Sequence, residues 1–475
     1  MRSSDNPEWA GAVWVGELDL SDLASAPSDS RLELAGGSDY HRARFLVRED
    51  QALRGFVTVG IEEGQVRVDE LRRAVDELPV AVPEPEPPRP PISVVICTRD
   101  RGRLLRDAVD SVLASDYPDL EVVVVDNAGS TSETRDLALR HPDSRVRYVH
   151  EPLAGVSRGR NRGLRVAVNE HIAFIDDDVV VDRHWLTGIA RGFARDPHVG
   201  LVCGLVPSGE IRTRTQAWFD QRVTWADARE PRVYSLSSPP PELPLFPFQV
   251  GAYGTGANTA LTRTAFESVG GFDVTLGGGQ PTKGGEDIDL YLRMLAAGYS
   301  ISVEPSAITW HRHRSDLPAL KAQARGYGTG MGAWFTKILF TPSLLRLALP
   351  KVPGAVARMR AIARGGSSDP DGTDAEFGFP RGYTASLGSL EMRSALTGPL
   401  RWAGGGTAGR DGPGCPGRTG PGHHDPSRER WVRGQQLVVE IRQQEQHLCG
   451  IRRDEFCRAD HGNAAPGHAA SLLGR

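Results

Sequence analysis

Twelve residues, His171 to Asp182, constrain this chain more than any others: HIAFIDDDVVVD. An apolar run, Ile172-Ala173-Phe174-Ile175, leads straight into three consecutive carboxylates, Asp176, Asp177 and Asp178. The run is short, partly β-branched and aromatic, which predicts a buried strand. The carboxylates then sit at its carboxyl end, where open α/β sheets bind ligands. Three adjacent carboxylates repel one another, so ionising all three is costly without a cation. Alternate side chains of an extended segment share a face, which predicts Asp176 and Asp178 in one site and Asp177 pointing away. Taken alone, the triplet reads better as a solvated turn in which Asp182 caps the next helix. The rest of the chain shifts that balance.

ISVVICT (92–98) and EVVVVDN (121–127) are near-continuous apolar runs, as central parallel strands require. Between them Leu104, Leu105, Ala108, Val109, Val112 and Leu113 fall at helical spacing. Ser130 and Glu133 predict a capping box for a short helix, and Thr264 and Glu267 a second. RVRYVHE (145–151), VGLVCGLV (199–206), TGANTALTR (255–263) and the segment ending at His311 add strands. Strands alternating with helices of this length predict a mostly parallel, doubly wound α/β sheet. Residues 207–250 break the pattern with aromatics, Arg and Pro; such a segment inside a domain reads as a substrate-facing insertion. Glu286 and Asp287 begin a helix whose Ile288, Tyr291, Leu292 and Leu295 share a face.

The 475 residues suffice for more than one domain. Residues 1–82 read as a small α+β accessory unit, and the Pro-rich 83–91 as a stiff spacer. Residues 92–315 form the α/β unit, 316–402 a helical basic and apolar segment, and 403–475 a low-complexity tail expected to be disordered. The five cysteines, at 97, 203, 415, 449 and 457, form no C-x-x-C pair, which argues for a reducing compartment. No basic start followed by an apolar core marks a signal peptide. No apolar run of about 18 residues predicts a spanning helix. A cytoplasmic protein is expected. Residues 317–364 carry Lys321, Arg325, Lys337, Arg346, Lys351, Arg358, Arg360 and Arg364 among apolar residues. They are expected either to pack on the core or to touch the anionic inner face of the plasma membrane. His447, Cys449, Cys457 and His461 lack the spacing of a common zinc finger.

In order and spacing, ISVVICTRDR, EVVVVDNAGS, GVSRGRNRGL, FIDDDV, GANTALTR…VGGFD, GGEDIDLYLR and EPSAITWHRHR together resemble bacterial glycosyltransferase family 2 enzymes of the GT-A fold. The N-terminal unit and linker resemble the extension of one subgroup of that family. The resemblance implies an inverting transferase that uses a nucleotide-diphosphate sugar and Mg²⁺ or Mn²⁺. The expected acceptor is a hydroxyl of a glycan, a lipid-linked or a small-molecule compound; no nucleic acid is implied. Asp126 matches the residue that contacts the base, and Thr98, Arg99 and Asp100 the loop on the nucleoside. Arg160 and Asn161 match the pair beside the diphosphate or ribose. Asp176 and Asp178 match the ends of the DxD motif, with Asp177 between them. The resemblance assigns metal to Asp178, with His311 beside it, and Glu286-Asp287 to the motif whose aspartate is the proposed base.

Two other classes meet obstacles in the residues. A nucleotidyltransferase needs a Gly-rich phosphate loop after the first strand, and TRDRGRLL has one glycine. GGGQPTKGG is not a P-loop, because Lys283 precedes Gly rather than Ser or Thr. A non-catalytic sugar-binding or scaffold protein of the same fold remains as the third reading.

Overall fold

A computed structural model describes residues 6–405 apart from 50, 82–83, 224, 227–229, 356 and 358–369. The expectations for 406–475, and for Arg358, Arg360 and Arg364, fall outside the described residues.

The chain opens with β1 (Val13–Asp19), α1 (Leu20–Ser25), β2 (Arg31–Glu33), β3 (Arg42–Glu49), β4 (Ala52–Gly60), β5 (Gln65–Arg67) and α2 (Val68–Asp76). Strand β3 lies between β1 and β4, parallel to the first and antiparallel to the second. Strand alternation gives this sheet two buried faces. Trp14, Phe45 and Val47 build the unit's own core, and Val13, Val15 and Leu46 build another, shared with Leu205, Ile308 and Trp310 of the larger unit. The sequence pattern suggested a separate unit; the structure gives its second face an apolar cover. The Pro-rich segment follows the surface, with Glu84 paired to Arg191 and Arg195 at 3.4 and 2.7 Å.

The larger unit runs β6 (Ile92–Thr98), α3 (Gly102–Leu113), β7 (Leu120–Asn127), α4 (Glu133–Leu139), β8 (Val146–Glu151), α5 (Val156–Val166), β9 (His171–Asp176), β10 (Val179–Val181), α6 (Trp185–Ala194) and β11 (Val199–Leu205). Then come α7 (Arg214–Arg222), β12 (Arg232–Tyr234), β13 (Asn258–Thr262), α8 (Arg263–Ser268), α9 (Glu286–Ala296) and β14 (Ser300–His311). The sheet order is β10-β14-β11-β13-β9-β6-β7-β8, with β12 also on β14. Strands β6, β7, β8, β9, β11 and β14 run one way, and β10, β12 and β13 the other. The fold is therefore α/β with a mostly parallel, doubly wound sheet, as expected. Alternation in β6 shows why: Val94 and Ile96 pack with Leu105 of α3 and Ile189 of α6, whereas Val95 packs with Leu164 of α5. Each fully buried aliphatic side chain contributes about 1.5–3 kcal/mol relative to exposure.

Three local expectations are corrected. Ser130 does not cap α4: the N-cap is Ser132, and Ser130 is drawn to Asp100 instead. Thr264 does not cap α8; Thr262 does, its hydroxyl accepting from the Ala265 amide at 3.2 Å. The 207–250 segment is partly regular, because Thr213 and Gln216 form a capping box for α7 and β12 adds to the sheet.

Helices α10 (Leu317–Phe340) and α11 (Pro342–Ala348) follow, and the described chain ends in the helix Tyr383–Gly405. Small residues let α10 and that last helix touch: a Cβ on Gly332 would lie 2.0 Å from the Ala395 carbonyl oxygen. Much of the basic segment thus packs on the protein, with Leu320, Ala324, Trp334 and Ile338 buried. No described helix is long and apolar enough to cross a membrane.

Candidate active site

The strand ends converge on a cleft of about 870 Å³. Strand β9 stops at Asp176, so Asp177 and Asp178 occupy the turn before β10. Asp177 accepts from the Thr98 hydroxyl and from Arg101, both at 2.7 Å. Burial raises its pKa, against the pull of Arg101. Asp178 shares Arg101 Nη1 with Asp177, at 3.2 Å, and lies 3.5 Å from His311 Nε2 and 3.6 Å from Arg314. Asp177 thus does not point away from the site as alternation predicted, because it lies in the turn beyond the strand. Burial opposes its charge, but His311, Arg314 and Arg101 outweigh burial and hold its pKa low. The Asp176 side chain remains 38% exposed and receives Arg160 Nη2 at 2.9 Å.

Asp176, Asp178 and His311 each present a donor atom, all within 4.8 Å of one another. The His311 Nδ1 atom is buried without a hydrogen-bond partner among the described residues. Two carboxylates and an imidazole suit a divalent cation, and these residues fit one.

Helix α9 supplies the opposite wall. Its N-cap, Gly285, adopts φ 92°, and a Cβ there would stand 2.8 Å from the Gly330 carbonyl oxygen of α10. Only glycine meets both demands. Asp287 is held by the Gly256 amide at 3.1 Å and by the Ile288 amide at 2.8 Å. Glu286 meets Arg160 at 3.4 Å. Burial, then the Asp287 carboxylate, push the Glu286 carboxyl up to about 7, against Arg160. Arg160 therefore joins the two walls, and it also donates to the Gly256 carbonyl at 3.2 Å. Burial disfavours its charge, but Asp176 and Glu286 more than compensate and raise its pKa. Cys97 lines the same floor, its thiol pushed up to about 12 by burial, and so is not a nucleophile at neutral pH.

Thr98, Arg99, Arg160, Asp176, Asp177, Asp178, Glu286, Asp287 and His311 all line the cleft. Asp100, Asp126 and Asn161 do not. Asp100, at φ 54°, accepts from the Ser130 and Thr131 amides at 2.9 and 3.1 Å and so ties down the turn after β7. Asp126 is buried beneath that turn, with Tyr148 donating to Oδ2 at 2.9 Å and Oδ1 unpartnered. Asn161 exchanges two hydrogen bonds of 2.9 Å with the Phe272 backbone.

Sequence reasoning missed Arg101 and Arg314, two cations that complete the carboxylate cluster. Their signal was the density of Arg in TRDRGR and HRHR beside a site rich in acid. It also missed the cleft's second half. Met331, Trp334, Phe335, Ile338 and Leu339 share one face of α10 and line it, opposite Leu245 and Phe248. The Phe248 and Trp334 rings stand 6.4 Å apart. From Met331 to Leu339 the helix rises about 12 Å, so the apolar part of the cleft lining, referred to below as the apolar channel, extends about that far along α10.

Residues 93–270 match the family model described as Glycosyl transferase family 2. A curated protein of Mycobacterium tuberculosis, "Pre-mycofactocin glycosyltransferase", is 30% identical over 300 residues, 62% of this chain and 58% of the relative. "Glucosyl-dolichyl phosphate glucuronosyltransferase" of Haloferax volcanii is 25% identical over 39% of this chain and 57% of the relative. The chain therefore spans less than two thirds of these relatives. Among solved structures, "Mannosyltransferase PcManGT from Pyrobaculum calidifontis in complex with GDP-Man and Mn2+" is 22% identical, covering 68% of this chain and 90% of that one, with a TM-score of 0.44.

Proposed function

From the match of residues 93–270 to the family model described as Glycosyl transferase family 2, we propose that this chain belongs to that family and is a metal-assisted, inverting glycosyltransferase. The donor is a nucleotide-diphosphate sugar. The observation that carries this reading is one cleft holding both a cation-fitting triad, Asp176, Asp178 and His311, and a carboxylate, Asp287, fixed by two backbone amides.

Asp176, Asp178 and His311 would hold a Mg²⁺ or Mn²⁺ ion. When bound, that ion neutralises charge on the departing diphosphate. Arg101 and Arg314, both beside Asp178, add positive charge at the same point. Arg160 sets the distance between the donor wall and α9 through Asp176 and Glu286. Asp287 accepts the proton of the acceptor hydroxyl as its oxygen attacks the anomeric carbon. The bond to the diphosphate breaks on the far side, and the configuration inverts. Asp126 lies under the turn that Asp100 ties and supports it from behind the cleft, while Thr98 and Arg99 flank the nucleoside. Asn161 acts by holding the Phe272 segment on which Arg160 rests, 5.4 Å over the ring.

The apolar channel supports an acceptor whose hydroxyl sits on an apolar body, whether small molecule or lipid-linked. The name of one relative includes glucosyl-dolichyl phosphate. Exposed Leu349 and Val352, with Arg346 and Lys351 on the same short stretch, support peripheral contact with anionic membrane. Binding to anionic liposomes that falls steeply with salt is expected; no binding at low salt removes that part. The central reading is tested by donor turnover over a panel of nucleotide-diphosphate sugars, each with Mn²⁺ and with chelator. At least one donor turns over with Mn²⁺ only; turnover of none contradicts an enzymatic role.

A further inference from the structure

The strand pair that carries Asp178 and His311 is short. Strand β10 has three residues and lies at the sheet edge. Among the described residues it pairs only with the end of β14, as Val179↔His311, Val180↔Trp310 and Val181↔Thr309. A slip of one residue would turn every side chain to the other face. The 3.5 Å approach of His311 to Asp178 depends on that register.

The N-terminal sheet contacts both strands, at the far end of β10 from Asp178 and at the residue next to His311. Asp182, the residue after β10, receives Arg48 of β3 at 2.5 Å, with both side chains buried. Trp310, the residue before His311, donates to Glu17 of β1 at 2.8 Å. A third link runs from Arg44 of β3 to Asp220 of α7 at 2.8 Å, and Asp220 accepts from Ser208, which bridges to His311. By strand alternation Trp310 faces the N-terminal unit, and so His311 faces the cleft. Buried charge pairs are costly to desolvate, and their best-attested use is to specify register.

We propose that the N-terminal unit is a positioning device for the metal site: Arg48 and Glu17 hold β10 and β14 in the register that brings Asp178 to His311. The inference rests on reading Asp176, Asp178 and His311 as metal ligands. It assigns the N-terminal unit a role toward the cation rather than toward the acceptor.

Direct Mn²⁺ binding to the full chain, measured by calorimetry without donor, tests it. Arg48→Met combined with Asp182→Asn removes both buried charges together, so neither is left alone. Glu17→Leu removes the acceptor of the Trp310 hydrogen bond, whereas Glu17→Gln keeps one. The first two are expected to weaken Mn²⁺ binding about ten-fold or more, the range for groups that orient metal ligands. Glu17→Gln is expected to bind like the native protein. A merely structural role would lower the thermal midpoint and leave Mn²⁺ affinity well below that midpoint unchanged. If the double variant does not fold, the Glu17→Leu and Glu17→Gln pair decides. Folded variants that bind Mn²⁺ within two-fold of the native protein overturn the proposal. A native protein that binds no Mn²⁺ overturns the metal reading and the proposal with it.

Discussion

The two halves of the cleft are built by different physics. In the carboxylate half the side chains are charged and mostly buried, and nearly every one has a partner: Asp177 with Thr98 and Arg101, Asp176 with Arg160, Asp287 with two amides. These contacts set positions to within a hydrogen bond, as charge stabilisation in a transition state demands. The apolar half is one helix face of α10 against Leu245 and Phe248. Apolar burial has no direction, so that half selects size and hydrophobicity rather than orientation. The comparison teaches that substitutions in the first half should strike turnover and metal binding, and those in the second acceptor affinity.

The sharpest way to break this division is Asp287→Asn. It is nearly isosteric and keeps an oxygen for the Gly256 amide, but it cannot take up a proton. Loss of a general base lowers rate about 10²- to 10⁴-fold. Turnover should collapse by that factor while calorimetry finds donor affinity near native. A near-native rate would move the base elsewhere, with Glu286 or Asp289 next to test.

A smaller effect is expected from Phe335→Ala in the apolar half. A buried aromatic contributes about 1.5–3 kcal/mol, and Phe335 is only half-buried by the protein itself. Steady-state kinetics should show the acceptor KM rising about ten-fold, with the donor KM and the chelator sensitivity unchanged. A fall in kcat at native KM would mean that the two halves are not separable.

The smallest effect concerns Glu286, where the halves meet. Its folded pKa, about 7, lies above the usual 4.5. The fold therefore favours its protonated form. That stability is fully present below about pH 4.5 and is lost as pH rises towards 7. Glu286→Gln cannot ionise, so its thermal midpoint should decline less than the native one across that window. The difference should be a few degrees. Parallel melting curves at pH 5 and pH 8 would show that the charge is stabilised by contacts other than Arg160.

The carboxylate half was legible because strand periodicity is simple. An apolar run ending in Asp176 had to be a strand, and the sheet then brought Thr98 and Asp176 to one edge. Asp287 was legible because Gly284-Gly285 precedes a clear amphipathic face. Arg101 and Arg314 were not, because a loop arginine on a single sequence gives no direction. The apolar channel was hidden for another reason. Helical spacing in α10 was visible, but its narrow glycine stripe, Gly328 and Gly332, faces the last helix, and only the fold reveals which face remains for the cleft. Asp126 and Asn161 show the converse: right stretch, yet both lie behind the cleft surface, holding a turn and the Phe272 segment.

If the carboxylate half holds a divalent ion for a nucleoside diphosphate, metal and nucleotide must bind together there. The most direct test titrates nucleoside diphosphates into the native chain and into Asp178→Asn by calorimetry, with Mn²⁺ and with chelator. At least one nucleotide should bind the native chain ten-fold or more tightly with Mn²⁺, and in an Asp178→Asn chain, folded by circular dichroism, Mn²⁺ should make no difference. Equal affinity with Mn²⁺ and chelator in the native chain, for every nucleotide tried, would contradict it.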